Sequence, residues 1–430
     1  MTHNFLKIIL LKIIILLIVM QYSFSQNDTV NLNQCYDEAI RTFPLAKEKE
    51  LQKNATHLKM ENLSKNWYPQ MDVNGQFTYQ SDVVEIDFPD IPQMSFDIPS
   101  PPKEQYKFTL DIKQTLYDGG RTNAAKQLEQ AKMQTQVKQV EVELNKLKSR
   151  INRLYFTILI LQENIKQVQV MLDEVKKRKK TVKSAVENGV LKSSDLNVLK
   201  AEKLKLEQNL SELEENKNAS LSILAELTGL IVHEKTVLKI PEVQWHENDS
   251  LQRPEYELFK LQNQQLGAAK TATQKNRKPL VYAFGQAGYG NPGLNMMKDE
   301  AQTFYFAGAG VKWNIWDWNK TNREQQVLSL QQDIVKTKEE TFDKNLQLEI
   351  QSKKAGIRKY EKLIRKDHEI IELREKVSES AKAQLEYGVI TSTEYLAELN
   401  KEMISKINLE THKLLLIQSK IEYLTITGNL

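Results

Sequence analysis

Glycine and proline punctuate this 430-residue chain at spacings that recur. Asp118 to Gly189 is 71 residues, and Asp317 to Gly388 is again 71. Gly189 to Gly229 is 40 and Gly388 to Gly428 is 40, so every pair is offset by 199 residues. Local sequence agrees at that offset: Leu116-Tyr117-Asp118 answers Ile315-Trp316-Asp317, Gly189-Val190 answers Gly388-Val389, and Leu227-Thr228-Gly229 answers Ile426-Thr427-Gly428. Chance supplies one such pair, not a series. The chain is an internal duplication, and whatever it folds into must be built from two copies of one plan.

Most of each copy reads as helix. Neither Gly nor Pro occurs from Gly120 to Gly189, from Gly189 to Gly229, or from Gly388 to Gly428. Such runs are long for globular helices and point to coiled-coil-like or solenoid packing. Leu144, Leu147, Ile151, Leu154, Ile158, Leu161, Ile165, Val168, Leu172 and Val175 advance in alternating steps of three and four, a heptad seam. A similar pattern resumes after Gly189 with Leu196, Leu199, Leu206, Leu210 and Leu213, so two helices should pack antiparallel. At about 1.5 Å per residue the first helix is roughly 105 Å long, which suits a periplasm and no compact domain. In the second copy Leu346, Ile350, Ile357, Tyr360, Ile364 and Ile371 keep the seam. Lys353 and Asp367 interrupt it, and Gly356 weakens it by about 1 kcal/mol, so a partly exposed face is expected there.

Before Asp118 the period changes to two. Tyr106, Phe108, Leu110 and Ile112 alternate with Lys107, Thr109, Asp111 and Lys113, the mark of a strand with one apolar face. Tyr305, Ala307, Ala309 and Val311 match them in the second copy; further strands are expected at Gln70 to Gln80 and Leu280 to Gly288. Each copy therefore carries one β-hairpin between helices. Strands of about 10 residues suit a tilted bilayer crossing. Trp67 and Tyr68 precede one hairpin, and Trp313, Trp316 and Trp318 close the other, where interfacial aromatics belong. Hairpins packed on a soluble core are the alternative, but no helix offers enough apolar surface to cover four strands. Four strands cannot close a barrel, and an open edge in lipid leaves backbone groups unsatisfied. Membrane insertion thus demands several chains sharing one barrel, with cyclic symmetry the natural solution. The hairpin loops, Ser81 to Pro102 and around Gly288 to Met297, are expected on the exterior.

The N-terminus reads as a cleavable secretory signal: Lys7 and Lys12 among Ile, Leu and Val, then Ser23 and Ser25 before Gln26. An uncleaved anchor is the alternative, although the run Ile8 to Met20 is short for a span. Cys35 is the single cysteine, so no intrachain disulfide forms, and a small buried hydrophobe is its expected role. With 60 Lys and Arg against 56 Asp and Glu, the charge is too balanced to indicate nucleic acid. The histidines His3, His57, His233, His246, His368 and His412 have no metal-ligand spacing, and Gly288-Tyr289-Gly290-Asn291-Pro292-Gly293 lacks the Lys-Ser/Thr of a phosphate loop. No enzymatic activity and no cofactor are expected.

These pieces together resemble the TolC-like outer-membrane efflux proteins over nearly the whole mature chain. Leu32, Cys35, Ala39 and Pro44 resemble the family's opening helix, and Trp67-Tyr68-Pro69 its entry to the first strand. Tyr117-Asp118-Gly119-Gly120-Arg121 resembles the strand exit that starts the long helix. Gly189 with Asp195-Leu196, and Gly388 with Glu394-Tyr395-Leu396, resemble the Gly-x5-Asp-x-Leu motif of the periplasmic tip. The resemblance implies an α+β membrane protein: a homotrimer sharing one transmembrane β-barrel, four strands from each chain, above a periplasmic α-barrel of long helical hairpins. It implies the exit duct of a tripartite efflux or type I secretion system, with a periplasmic adaptor and an inner-membrane transporter of the RND, ABC or MFS kind as partners. A structural or adhesive coiled-coil envelope protein without a pore is the competing reading.

The implied organisation is residues 1–25 as signal peptide and 26–229 as first repeat, with a hairpin at 70–116 and its tip near 189. Residues 230–254 form an equatorial connector. Residues 255–430 form the second repeat, with a hairpin at 280–316 and its tip near 388. Asp195 and Glu394 match the family's acidic tip position, and three Glu394 carboxylates around one axis could select cations. Both also lie in the first turn of a helix, where a carboxylate is favourable in any case. Ala397 and Ile390 stand where some members have an acid and an Arg, so the family's gating network does not carry over in detail.

Overall fold

The computed structural model describes residues 29–84, 100–245 and 250–430; the expected signal peptide and most of the first hairpin's Pro-rich loop lie outside these. In chain order the elements are β1 (Thr29–Val30), α1 (Leu32–Thr42), α2 (Glu48–Ser64), β2 (Gln70–Tyr79), β3 (Glu104–Tyr117), α3 (Arg121–Glu187) and α4 (Ser193–Thr228). There follow β4 (Val237–Leu238), α5 (Pro254–Lys275), β5 (Leu280–Asn291), β6 (Gln302–Lys312), α6 (Lys320–Glu386) and α7 (Ser392–Thr427). Helices α3 and α6 are each 67 residues long, and α4 and α7 each 36. Two compact units contain them: one holds the residues up to Lys47, Val140–Pro254 and Thr341–Leu430, the other Glu48–Gln139 and Glu255–Glu340.

In the second of these units the strands form one antiparallel sheet in the order β2-β3-β5-β6. Period-two patterning sorts their side chains. Met71, Val73 and Phe77 share a face with Tyr106, Phe108, Leu110 and Ile112, through the pairs Met71↔Ile112, Val73↔Leu110 and Phe77↔Tyr106. Ala287 and Tyr305 continue that face across β5 and β6. It is apolar yet uncovered, with Val73 79% and Tyr305 83% exposed, which water does not favour over so wide an area. On the other face Asp111 accepts hydrogen bonds from Asn74 (2.7 Å), Thr109 (2.9 Å) and Gln286. Lys107 lies over the Phe304 ring and Lys113 over that of Tyr282. The rings of Phe284 and Tyr282 cover Gly308 and Gly310, so this face is not purely polar.

The second hairpin ends earlier than 316. Leu280 pairs with Lys312, and Trp313 would next face Pro279, which has no N–H to donate. Residues 313–317 therefore leave the sheet unpaired. At the far end β5 continues to Asn291 and β6 begins at Gln302, so the loop lies at 292–301, later in the chain than Gly288 to Met297 suggests.

The helical unit has two cores. In one, α1 supplies Leu32, Cys35, Tyr36 and Ala39 against Leu144, Leu147, Ile151 and Tyr155 of α3, with Leu221 and Leu224 of α4. Cys35 is fully buried there, and desolvation pushes its thiol up to about 12, out of reach of thiolate chemistry. Pro44 lies beyond α1, opening a short 3-10 turn to Lys47. β1 pairs with β4 in parallel, and the Tyr155 hydroxyl donates to the carbonyls of Val30 (3.0 Å) and Lys239 (2.7 Å) across that pair. The second core joins Val168, Leu172, Val175 and Val182 of α3 to Leu199 and Leu206 of α4, and to Leu385, Tyr395 and Leu396. The breaks in the α6 seam are filled by polar pairs to α7: Lys353 with Glu422 and Asp367 with His412, both at 2.6 Å.

Candidate functional site

Two places gather the residues singled out in the sequence: the tips of the helical hairpins and the ends of the strands. At the tips, Gly189 and Gly388 take positive φ of 76° and 71°. Gly189 N–H donates to Val186 (3.0 Å) and Val190 N–H to Ala185 (2.8 Å), and Gly388 and Val389 repeat the arrangement on Leu385 and Gln384. This is the Schellman ending, which needs a left-handed residue at its centre and hence glycine.

The two acids at equivalent positions do different things. Glu394 closes a capping box: its carboxylate accepts the Thr391 N–H (2.8 Å) and hydroxyl (2.9 Å), while its own N–H donates to the Thr391 hydroxyl (3.3 Å). Those bonds, the amide first, hold its carboxyl below the usual range. Asp195 instead accepts the Ser392 N–H at 3.1 Å, so an acid in α4 caps α7. Lys192, at the N-cap of α4, makes no side-chain cap.

About three turns from the Gly189 tip lies a cation that sequence reasoning missed. Arg178 of α3 is buried, donates to Glu386 at 2.9 Å, lies 3.5 Å from Glu174, and rests on the Tyr395 ring at 5.3 Å. Burial opposes its charge, but Glu386, Tyr395 and Glu174 more than restore it, and Arg178 in turn lowers the Glu386 carboxyl. One helix of the first copy is thus tied to two of the second, to α6 by an ion pair and to α7 by a cation–ring contact. The seam gave no signal for it: after Leu172 and Val175 the alternating steps lead to Lys179 and then Val182, one residue past Arg178. Beside Tyr395 is a cleft of about 390 Å³, lined by Met171 and Glu174 of α3, Glu375 and Lys382 of α6, and Met403 and Lys406 of α7.

At the strand ends, Trp67, Tyr68, Trp313, Trp316 and Trp318 are all exposed. Trp313 Nε1 donates to the Arg277 carbonyl at 3.0 Å, and the Trp316 and Trp318 rings meet edge to face at 5.8 Å. Each long helix begins under an aspartate. Asp118 accepts the N–H groups of Gly120 (2.7 Å) and Thr122 (2.6 Å), and Asp317 those of Thr321, amide at 3.0 Å and hydroxyl at 2.5 Å. For Asp118 burial pushes the carboxyl up, but the Thr122 and Gly120 bonds outweigh it and the net shift is downward. Between aspartate and helix the copies diverge: Gly119 and Gly120 have φ of 67° and 83°, while Trp318 and Asn319, 199 residues on, hold 53° and 63°.

A sheet with an uncovered apolar face and paired long helical hairpins are the features the comparisons share. Residues 37–230 match the family model for outer membrane efflux proteins. The outer membrane channel CmeC of Campylobacter jejuni shares 14% identity with a TM-score of 0.65, over 93% of this chain and 85% of that one. The outer membrane protein VceC of Vibrio cholerae shares 14% with a TM-score of 0.67, over 92% and 96%. The MtrE outer membrane channel of Neisseria gonorrhoeae, in its open state, shares 13% with a TM-score of 0.65, over 93% and 89%. No curated protein sequence matches. By sequence the chain is similar to the outer membrane efflux proteins over residues 37–230, and by fold it is similar to these channels over nearly its whole length.

Proposed function

We propose that this chain is the outer-membrane exit duct of a tripartite efflux or type I secretion system, a homotrimer that passively conducts substrate delivered by a periplasmic adaptor and an inner-membrane pump. The observation that carries this is the sheet: four antiparallel strands, one apolar uncovered face, and two unpaired edges, β2 and β6. The edge strands run in opposite senses, so β6 of one chain and β2 of the next would pair antiparallel, as a closed even-numbered barrel requires. In this reading Met71, Val73 and Tyr305 meet lipid, while Asp111, Lys107 and Lys113 line the lumen. Trp67, Tyr68, Trp313, Trp316 and Trp318 sit at the membrane–water interface.

Residues 26–229 and 255–430 would be the two repeats, joined through 230–254. Their tips at Gly189 and Gly388, with Asp195 and Glu394, would form the periplasmic gate. Sedimentation of the detergent-solubilised protein tests the assembly. A mass of three chains supports it, and a monodisperse monomer contradicts it.

A further inference from the structure

The residues that follow β6 combine strain, exposure and charge in one short stretch. Trp318 is 78% exposed and holds a left-handed backbone, which is strained for a non-glycine residue. The first copy adopts the same backbone with Gly119 at no such cost. Among the described residues the Trp318 ring meets the edge of Trp316, itself 72% exposed, and no buried neighbour. The benefit of an indole there must lie outside the chain.

Charge says what lies outside. Along the chain the order is Val311 on the apolar face, then the indoles of Trp313, Trp316 and Trp318, then Lys320 and Arg323; Arg277 and Lys278 precede the neighbouring strand. All four cations are on exposed residues. Of the nearby carboxylates, Asp317 is engaged with Thr321 and lies 4.0 Å from Arg277, and Glu324 lies 3.9 Å from Lys320. Arg323 is fixed by donating to the Trp318 carbonyl at 3.0 Å. The opposite end of this hairpin is not basic: its loop carries Asp299 and Glu300 against Lys298. Hydrocarbon, then indole, then cation is the order in which a bilayer presents acyl chain, interface and phosphate.

We propose that the base of the second hairpin, Trp313, Trp316 and Trp318 with Arg277, Lys278, Lys320 and Arg323, seats the headgroups of anionic phospholipids in the leaflet where β6 ends. This rests on the membrane-spanning reading of the sheet and adds a lipid class to it. Each cation near an anionic surface contributes about fivefold. The seat should therefore prefer an anionic over a zwitterionic lipid by at least about tenfold at low salt, and lose that preference as salt rises.

Tryptophan fluorescence of the full-length trimer in vesicles tests it, in a Trp67→Phe, Trp245→Phe background so that only the three indoles report. Dibrominated phosphatidylglycerol should quench at a several-fold lower mole fraction than dibrominated phosphatidylcholine. Lys278→Gln, Lys320→Gln and Arg323→Gln together should bring the two curves together. Equal quenching of the unsubstituted seat by both lipids overturns the anionic preference while leaving the membrane interface standing. Quenching by neither overturns the interface reading as well.

Discussion

Asp195 Oδ1 accepts the backbone N–H of Ser392 at 3.1 Å, so an acid of the first copy caps the last helix of the second. Its counterpart Glu394 looks inward, to Thr391 in its own chain turn. Duplicated positions have become a cross-link in one copy and a local cap in the other. Glu394→Ala should open the capping box and fray the first turn of α7, read as faster amide exchange at Thr391. Asp195→Ala should loosen the contact between α4 and α7, and faster amide exchange at Ser392 in the Asp195 variant than in wild type is the checking measurement. Equal exchange rates would make the cross-link inconsequential.

Arg178 is the second tie between copies. Arg178→Met keeps the packing against Tyr395 and removes the charge, so thermal stability should change by no more than about 1–2 kcal/mol. If the tie holds the tips together, the same variant should raise basal conductance in a planar bilayer, and Glu386→Gln should do so in the same direction. Unchanged conductance in both would separate this network from gating.

The strand exits offer a contrast in strain. A Cβ at Gly119 would lie 2.3 Å from the Lys278 Cβ, on a backbone with φ of 67°. Gly119→Ala should cost about 2–4 kcal/mol from strain and overlap combined. Trp318→Gly should leave detergent stability within about 1 kcal/mol of wild type, since relief of strain offsets the added freedom of the unfolded chain. Thermal unfolding in detergent distinguishes the two.

Asp118 gives a pH dependence. Its carboxyl is held below the usual range in the fold, chiefly against burial and by the Thr122 and Gly120 bonds. A depressed folded pKa means that the unfolded chain binds the proton more readily. The stabilisation is therefore complete above the unfolded value of about 4 and is lost as pH falls through the lower folded value. Asp118→Asn should flatten the stability profile in that acid range and lower stability at pH 7. A slope unchanged by the substitution would contradict this.

The residues that were easy to read are those whose physics is periodic. The 199-residue offset of Gly189 and Gly388 recovers helices of matched length because a Schellman ending demands glycine each time. Alternation from Tyr106 to Ile112 recovers β3 because one side chain in two faces each way. The order β2-β3-β5-β6 was not legible, because strand neighbours depend on long-range pairing that no local period records. Nor was the partnership of Lys353 with Glu422 or Asp367 with His412, where interruptions in the α6 seam looked like exposure. At the tip, Thr391 three residues before Glu394 is a capping-box signature, whereas Lys192 before Asp195 is not, and only the fold reveals that Asp195 caps the other copy's helix.

The central claim is that several copies of this chain enclose one water-filled path across the outer membrane. Single-channel recording of the purified full-length protein in a planar bilayer tests it most directly. The account predicts discrete, reproducible conductance steps from an oligomer that stays assembled in detergent. Heat-stable monomers that insert without any discrete conductance would contradict it and favour an envelope protein without a pore.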